Sequence, residues 1–379
     1  MSYITTAVNC NGCGTCNLVC PMEAISFLPD DEGFLRPLID KEKCINCGVC
    51  VKRCSANNIE KEEKEKESQS AYAAHIKDKN IRMSSSSGGI FTAIATIVIE
   101  NGGVVFGAAF DDDLTVKHIA IRNTAELKLL QGSKYVQSQI GDTYLIAKQY
   151  LNKGIQVLFT GTPCQIQGLY SFLNKEYDNL ITQDVICHGV PSPMIWKKYI
   201  EYREKEAAST TQRTFFRHKK YGWKMYSVQF QFQNCTEYIQ IFSKDLYMRS
   251  FLENLTLRPS CYQCSFKGIN KQSDITLADF WGIDKTYPQL DDNMGVSLVI
   301  LNSKKGHEIF KKLGSRVISN KVNLDEALRY NSAYYKSPNL NPNRENFIKC
   351  VAKSDFKTAS KKYLSVSLTI KFKKIIKKH

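Results

Sequence analysis

The sequence lacks an unbroken apolar segment long enough to cross a lipid bilayer. Residues 88–110 have about the required length, but the polar turn at residues 100–103 divides them into two short halves. The halves instead predict a helix over 90–99 and a strand over 104–110. The first eight residues also lack the basic start and apolar core of a secretory signal, so we expect a cytoplasmic protein.

Two kinds of binding motif are also missing. The net charge is +15, yet no nucleic-acid-binding motif accompanies it, so we expect no nucleic-acid partner. Residues 353–379 contain nine lysines and one aspartate, whereas residues 1–54 contain five basic and six acidic side chains. The excess charge therefore lies largely in the tail, which we expect to associate at most weakly with a membrane surface. No G-x-G-x-x-G run follows a strand pattern, which argues against a Rossmann-type nicotinamide site.

Cysteine is unevenly distributed along the chain. The 14 cysteines are too few for a disulfide-built scaffold, but eight of them lie in the first 54 residues. Clustered cysteines in a reducing compartment bind metal more often than they form disulfides. Composition then divides the chain into a cysteine-rich domain over 1–59, a charged linker over 60–70, a larger domain over 71–350 and a basic tail over 351–379.

The larger domain alternates short apolar runs with turn signals. Besides residues 90–110, the pattern predicts strands over 157–159, 181–186, 228–232 and 296–301, and helices over 143–151, 194–202 and 309–313. Strands that alternate with helices indicate a mixed α/β or α+β fold. The alternation over residues 363–372 fits a strand and also one helical stripe, and we favour a solvated tail there.

Two cysteine runs with the same spacing occur in the first domain. Residues 10–21 read C-x2-C-x2-C-x3-C-P, and residues 44–54 repeat the cysteine spacing, with Ser55 in place of the proline. Three cysteines of such a run bind one four-iron cluster, and the fourth ligates the other cluster. Paired zinc knuckles fit this spacing poorly, so we predict a bacterial-ferredoxin-like domain. One 4Fe–4S cluster is expected on Cys10, Cys13, Cys16 and Cys54, and the other on Cys44, Cys47, Cys50 and Cys20.

Four further cysteines form a second possible site: Cys164, Cys187, Cys261 and Cys264. The first two follow apolar strand patterns, and the last two form a C-x2-C pair. Their thiolates could converge at one edge of a sheet, or each could be a small buried hydrophobic side chain. The spacing alone leaves both interpretations open. The two remaining cysteines, Cys235 and Cys350, have no cysteine nearby in sequence, and we predict that both are small buried hydrophobic side chains.

A serine- and glycine-rich segment, residues 84–89, precedes the helix pattern over 90–99. Hydroxyls and glycine N–H groups at a helix N-terminus can bind an anion such as a phosphate or pyrophosphate. The same residues are equally consistent with an ordinary helix N-cap after a flexible lead-in. Both interpretations stay open on the residues alone.

The order of several short motifs resembles the beta-subunit family of coenzyme F420 hydrogenases and dehydrogenases. Several ordered motifs are more specific than any one of them, and the resemblance extends from about Ala71 to Phe347. The matching segments are Ser85-Ser86-Ser87-Gly88-Gly89, Gln131-Gly132-Ser133-Lys134-Tyr135, Gly161-Thr162-Pro163-Cys164-Gln165, Cys187-His188-Gly189, the pair Cys261 and Cys264, residues 274–282, and Pro342-Asn343-Arg344.

The resemblance implies a flavin, normally FAD, between an iron–sulfur cluster and a substrate site. It also implies a third 4Fe–4S cluster on the four dispersed cysteines. Lys134 and His188 are possible charge or proton partners, and no catalytic residue is assigned. Because related proteins reduce other conjugated substrates, the resemblance does not imply a deazaflavin substrate. The flavin contacts that it suggests are Ser86, Ser87, Gly88, Gly89, Gly132, Ser133, Lys134 and Thr162.

These expectations combine into one functional hypothesis, an iron–sulfur flavoprotein oxidoreductase with a flavin-binding α/β domain. Clusters carry single electrons and a flavin exchanges two, so FAD would connect a ferredoxin or other redox protein to a small organic substrate. The alternative is an electron-input subunit of a larger redox complex, without a substrate site of its own. A substrate-sized pocket against the flavin would favour the first hypothesis.

Overall fold

The computed structural model describes residues 9–57, 69–268 and 273–364. Its N-terminal part, here called the head, contains α1 (Thr15–Leu18), the antiparallel hairpin of β1 (Ile25–Pro29) and β2 (Leu35–Ile39), and α2 (Val49–Lys52). Both helices begin after a glycine, Gly14 and Gly48, with φ angles of 82° and 72° that glycine adopts without strain. The two cysteine runs therefore fold as matching loop–helix units before and after the hairpin.

Two sheets form the larger domain, here called the core domain. Eight strands form a mixed sheet and three form a separate antiparallel sheet. The strands are β3 (Ser70–Ile76), β4 (Val104–Phe110), β5 (Val116–Ile121), β6 (Val157–Thr160), β7 (Leu180–Val185), β8 (Thr211–His218), β9 (Ser227–Phe232), β10 (Glu237–Ile241), β11 (Ile275–Asp279), β12 (Ser297–Leu301) and β13 (Val317–Val322). The large sheet has the order β13-β3-β12-β11-β7-β6-β4-β5. Strands β4, β6, β7 and β11 are parallel, so their carboxyl ends lie at one edge of the sheet.

Some helices of the core domain pack on the two faces of the large sheet, and others pack with the small sheet. The helices are α3 (Lys79–Ser84), α4 (Ile90–Glu100), α5 (Leu127–Leu130), α6 (Thr143–Asn152), α7 (Pro163–Leu173), α8 (Pro193–Ala207), α9 (Leu246–Leu252), α10 (Ile283–Thr286), α11 (Lys304–Lys312), α12 (Leu324–Leu328), α13 (Arg344–Lys353) and α14 (Phe356–Tyr363). Val105 of β4 packs with α4, whereas its neighbour Phe106 packs with α6 and α7. Because successive side chains of a strand point to opposite faces, these helices lie on opposite sides of the sheet.

The observed elements confirm the predicted mixed α/β fold. The strand over 104–110 and the start of the helix at residue 90 coincide with the prediction, and the other predicted strands agree within one residue at each end. The helix predicted over 309–313 is instead the second half of α11, which begins behind the capping hydroxyl of Ser303. Within the described part of the chain, no helix is both long and apolar enough to cross a membrane.

The C-terminal end of the described chain is folded into the core domain. Helices α13 and α14 contribute Val351, Phe356 and Ala359, which are fully buried, to an apolar cluster with α8, α9 and the small sheet. The boundary predicted at residue 351 is therefore corrected, because burial of these side chains makes residues 351–364 part of the domain. The rest of the predicted tail, residues 365–379, lies outside the described residues.

Candidate functional site

Three cysteines of the first run lie together with the last cysteine of the second run. Cys16 and Cys54 share a small apolar cluster in the head. Burial is the largest cause that raises the pKa of each of these two thiols, and the charges of Cys10 and Cys13 raise it further. All four side chains are buried. The fold therefore brings Cys54 across to the first run.

The other cysteine group lies closer to the surface. Burial raises the pKa of Cys50, and the charges of Cys20 and Cys47 raise it further, so these three thiols lie near one another. Cys47 is exposed, whereas Cys20, Cys44 and Cys50 are half-buried. Cys20 of the first run is thus associated with the second run. This exchange is the arrangement that crossed ligation of two clusters requires, and the ligation itself stays a prediction.

The four dispersed cysteines meet at the carboxyl edge of the large sheet. Cys164 lies in the first turn of α7, just after β6, and Cys187 lies two residues after β7. Because β6 and β7 are adjacent parallel strands, their ends bring these two cysteines to the same place. Cys261 lies in a 3-10 turn, and Cys264 follows at its end. All four line one cavity of about 240 Å³.

The chemistry of this cavity fits an iron–sulfur cluster. Burial raises the pKa of Cys261 to about 12 and that of Cys164 well above its ordinary value, and neighbouring cysteines raise both further. Metal ligation requires thiolates, and a nearby multivalent cation favours that form. Over residues 9–57, 69–268 and 273–364, no group of three or more His, Cys, Asp or Glu side chains is arranged for a single metal ion. That finding concerns one ion, whereas a four-iron cluster offers several irons to its four thiolates.

A buried arginine connects the head to the cavity lined by Cys164, Cys187, Cys261 and Cys264, here called the core cysteine site. No sequence pattern marked this arginine as functional. Arg258 is fully buried, and its Nε donates to the carbonyl oxygen of Cys10 at 2.7 Å. Its Nη2 lies 3.6 Å from Cys10 Sγ and donates to the carbonyl oxygen of Leu35 at 3.0 Å. Its Nη1 donates to Oε1 of Gln137 at 2.7 Å. The available sequence signal was its position three residues before Cys261.

Further contacts dock the head on the core domain. Arg344 donates to both carboxylate oxygens of Glu32, through Nη1 at 3.0 Å and through Nη2. The hydroxyl of Ser192 donates to the carbonyl oxygen of Glu32. Phe34 is fully buried, with the Arg258 guanidinium 5.1 Å from the centre of its ring. Arg344, part of one of the motifs that carry the resemblance, thus holds the head in place.

Replacing Arg258 with glutamine is expected to lower the free energy of unfolding by about 2–4 kcal/mol, because buried acceptors lose their donor. The measurement is anaerobic denaturant unfolding followed by circular dichroism. Arg316→Gln is the matched control, since this exposed arginine pairs with Glu100 at 2.8 Å and its loss should cost at most about 1 kcal/mol. Equal stability of Arg258→Gln and the wild type would contradict the proposed docking role.

The two segments expected to bind a flavin are in direct contact. Ser86 Oγ accepts hydrogen bonds from the N–H and the hydroxyl of Ser133, at 2.7 and 2.8 Å. Ser87 and Gly88 hydrogen-bond to β12 and the residue before it, which anchors the segment to the sheet. Gly89 precedes the first turn of α4, and no side chain caps that turn. The first N–H groups of a helix have no partner within the helix, so they are the groups that a bound anion would satisfy here.

Other predicted flavin contacts have different surroundings. Gly132 is exposed, next to the Ser86–Ser133 contact. Lys134 is half-buried, and its Nζ donates to two main-chain carbonyl oxygens at 2.9 and 3.0 Å. Burial lowers the pKa of this amine to about 7. Thr162 caps α7, and its hydroxyl lies 3.1 Å from Cys164 Sγ, so Thr162 is next to a core cysteine, and its contact with a flavin stays a prediction.

The remaining residues that the sequence singled out have ordinary surroundings. The Nε2 atom of His188 hydrogen-bonds to Oδ1 of Asn254 at 2.7 Å, and burial lowers the pKa of the imidazole. Cys235 lies in the turn between β9 and β10 and is exposed, so the prediction that it is a small buried side chain is wrong. Cys350 is half-buried in α13, with its Sγ 3.6 Å from the hydroxyl of Ser354. His188 lines the core cysteine cavity, whereas Cys235 and Cys350 do not.

Three stretches of the chain match known families. The family description "Coenzyme F420 hydrogenase/dehydrogenase, beta subunit N-term" matches residues 71–143, and the corresponding C-terminal description matches residues 155–326. A 4Fe–4S dicluster domain matches residues 9–78. These matches include the head, the Ser/Gly segment and the core cysteines.

Individual relatives match parts of the chain. Coenzyme F420-dependent sulfite reductase of Methanocaldococcus jannaschii is 31% identical over 166 residues, which are 42% of this chain and 24% of that protein. One component of the Na(+)-translocating ferredoxin:NAD(+) oxidoreductase complex of Acetobacterium woodii is 47% identical over 45 residues, 12% of each chain. The chain thus spans about a quarter or less of these relatives.

A solved structure of the F420-reducing NiFe hydrogenase complex from Methanosarcina barkeri contains a chain that aligns with a TM-score of 0.46 and 16% identity. The alignment covers 78% of this chain and 91% of that one. The family matches and the cysteine spacing lead to one conclusion. The chain belongs to the coenzyme F420 hydrogenase/dehydrogenase beta-subunit family and is an iron–sulfur redox protein with a 4Fe–4S dicluster domain at its head.

Proposed function

We propose that this protein is an iron–sulfur flavoprotein oxidoreductase that passes electrons between a ferredoxin-type carrier and a two-electron organic substrate through FAD. One observation carries the proposal. The core cysteine cavity is also lined by Asn11 and Ala56 of the head, so the two cysteine-bearing parts share one site. We call Cys20, Cys44, Cys47 and Cys50 the outer head group, and Cys10, Cys13, Cys16 and Cys54 the buried head group. These two groups and the core cavity offer successive positions for clusters between the surface and the sheet edge.

The outer cysteine group suits exchange with a separate redox protein. Cys47 is exposed, and its half-buried neighbours belong to the mildly acidic first domain. A cluster at this position would lie near the protein surface, where a ferredoxin or similar carrier can approach it. The buried head group would then receive electrons from the outer head group, and not directly from the carrier protein. Reduced thiols are needed for this ligation, which is consistent with a cytoplasmic location.

The residues at the sheet edge also fit a flavin. Among the described residues, Gln183 Oε1 and His118 Nδ1 are buried without a hydrogen-bond partner. Thr160 pairs with Gln183 across β6 and β7, and its carbonyl oxygen accepts from His118 Nε2 at 2.9 Å. Burial lowers the pKa of His118 to about 4, so the imidazole is neutral and Nδ1 is an acceptor. Ile181 of β7 packs with α4, so Gln183, two residues later, lies on the same face, whereas His118 stacks on Phe159 on the opposite face. The unmatched acceptor of Gln183 therefore lies on the sheet face that α4 covers, where a ligand with an N–H or hydroxyl donor would satisfy it.

We assign the two ends of the flavin to separate parts of this edge. The N-terminus of α4, with Ser86 and Ser133, would hold the pyrophosphate, because it combines free N–H groups with the positive end of a helix. Lys134 would supply a counter-charge beside it. Gln183, on the same face of the sheet as α4, would accept a hydrogen bond from the more polar edge of the ring or its side chain. Bound there, a flavin would supply exchange between single electrons and a hydride pair.

Lys134→Met is expected to weaken FAD binding about tenfold or more, because a charged hydrogen-bond donor to the anion is lost. Isothermal titration of the flavin-free protein with FAD measures the change. Lys128→Met is the matched control, since Lys128 is exposed on the neighbouring helix α5. Because the amine has a pKa of about 7, wild-type affinity should be constant below that pH and fall above it. The same affinity in both variants would contradict the assignment.

Anaerobic purification of the full chain tests the proposed function as a whole. We expect FAD and iron–sulfur clusters to co-purify, and a one-electron donor to reduce the flavin. A chain that carries clusters but binds no flavin would contradict the proposal and favour the electron-input alternative. If an organic hydride donor reduces the flavin and the clusters then reoxidise it, the proposed function is supported, with electrons flowing from the organic substrate to the carrier.

A further inference from the structure

Helix α7 contains a glycine in its interior, Gly168, one turn after Cys164. Alanine stabilises a helix interior better than glycine does, so a glycine at this position needs a packing reason. A Cβ atom at residue 168 would lie 2.7 Å from Cys13 Cβ and 3.2 Å from Cys13 Sγ. The missing side chain therefore allows a cysteine of the buried head group to lie directly against the helix that carries a core cysteine.

Buried polar contacts hold this approach in place. The fully buried hydroxyl of Thr15 donates to the carbonyl oxygen of Gly168 at 2.8 Å. Tyr144 is also fully buried, and its hydroxyl donates to the carbonyl oxygen of Gln165 in the same helix at 2.6 Å. Burial raises the pKa of Tyr144, and the charges of Cys13 and Cys164 raise it further, so its hydroxyl lies within range of both thiols. Tyr144 thus occupies the space beside the contact and excludes water from it.

We propose that the contact between Cys13 and Gly168 is the electron junction between the head and the core domain. Gly168 is the positioning residue that sets the distance across the junction. The inference rests on the proposed function, because it assumes clusters on both cysteine groups. In each transfer the Cys13 side is oxidised by one electron and the Cys164 side is reduced by one. A ferredoxin-type one-electron donor then restores the head.

A second path from the head exists and must be distinguished. Cys10 contacts Arg258, and the Arg258 carbonyl accepts a hydrogen bond from the N–H of Cys261 at 2.9 Å. This path runs along a whole arginine side chain and its backbone. The path from Cys13 instead crosses one van der Waals contact to a helix turn that begins at Cys164. Because electron tunnelling weakens with the number of intervening groups, we assign the transfer to the path from Cys13, which does not run through a whole side chain.

The test compares the fully loaded wild-type chain with Gly168→Ala and Gly168→Val. After rapid mixing with dithionite, freeze-quenched electron paramagnetic resonance follows reduction of the head and core clusters separately. We expect core reduction to slow several-fold in Gly168→Ala and further in Gly168→Val, because an added Cβ would lie 2.7 Å from Cys13 Cβ and 2.8 Å from Tyr144 Oη, so both groups must move away from the helix. The magnetic coupling between the two clusters should weaken in the same order. Iron content and flavin reduction by a chemical hydride donor should stay unchanged.

Two control variants separate spacing from docking strength. Ser171→Ala, half-buried one turn later in α7, should leave the rate and the magnetic coupling unchanged. Thr15→Val removes the hydrogen bond to Gly168 and the 3.5 Å contact of the hydroxyl with Cys13 Sγ, but adds no atom at the junction. It should therefore transfer electrons at nearly the wild-type rate, because the spacing across the junction is kept. If Thr15→Val slows transfer as much as Gly168→Ala does, docking strength controls the rate and the proposal is wrong.

The outcomes also separate this inference from the proposed function. If wild-type head clusters are reduced but the core never accepts an electron from them, both the proposed function and the junction fail. If the wild type transfers electrons and Gly168→Ala does so with the same rate and coupling, the junction alone fails. The Cys10–Arg258 path would then be the exit from the head.

Discussion

A Cys264→Ser variant of the full chain is expected to lose the core cluster, which lowers the iron content from about 12 to about 8 atoms per chain. The reason is geometric, since the four core cysteines line one cavity and each would supply a thiolate to the same cluster. A one-electron donor should then no longer reduce the flavin. A chemical hydride donor should still do so, because it bypasses the clusters.

Iron analysis and stopped-flow absorbance measure both effects. Cys235→Ser is the matched control, since Cys235 is exposed in a turn and should change neither iron content nor flavin reduction. A wild-type protein with about 8 irons would show that the head alone carries clusters. Cys164, Cys187 and the C-x2-C pair would then be buried thiols, as the more conservative interpretation of the sequence allows.

Cys54→Ala and Cys20→Ala are expected to damage different head clusters. Cys54 belongs to the second cysteine run but should ligate the cluster of the first run, and Cys20 the reverse. Cys54 is buried with Cys10, Cys13 and Cys16, so its loss should remove the inner cluster. Cys20 lies with the outer group, so its loss should affect the cluster nearer the surface. Each variant is the control for the other, because both remove one thiol from the same small domain.

Site-resolved spectroscopy distinguishes the two clusters by their surroundings. The inner cluster should be little accessible to chelators and should interact magnetically with the core cluster, whereas the outer cluster should be more accessible. Cys54→Ala should abolish the coupling to the core, and Cys20→Ala should retain it. Loss of the outer signal in Cys54→Ala would instead assign each run of four cysteines to its own cluster and contradict the crossed ligation.

The sequence predicted the features that depend on local spacing. A thiolate loop around a cluster requires cysteines a few residues apart, so two C-x2-C-x2-C-x3-C runs were sufficient to predict the dicluster domain that the family comparison confirms. Alternating apolar runs predicted the strand over 104–110 and the mixed α/β class, because strand and helix periodicities are properties of neighbouring residues. Resemblance was needed for the family, since its motifs are short and widely separated.

Only the tertiary structure decided the contacts between distant parts of the chain. Arg258 meets Cys10 across 248 positions, and Thr15 meets Gly168 across 153, which no local pattern could indicate. The same holds for residues 351–364, whose apolar side chains complete a core that also contains α8 and α9. Local spacing therefore determined which residues can bind clusters. Packing determined how far apart those residues lie, because burial and hydrogen bonding act between side chains that only the fold brings together.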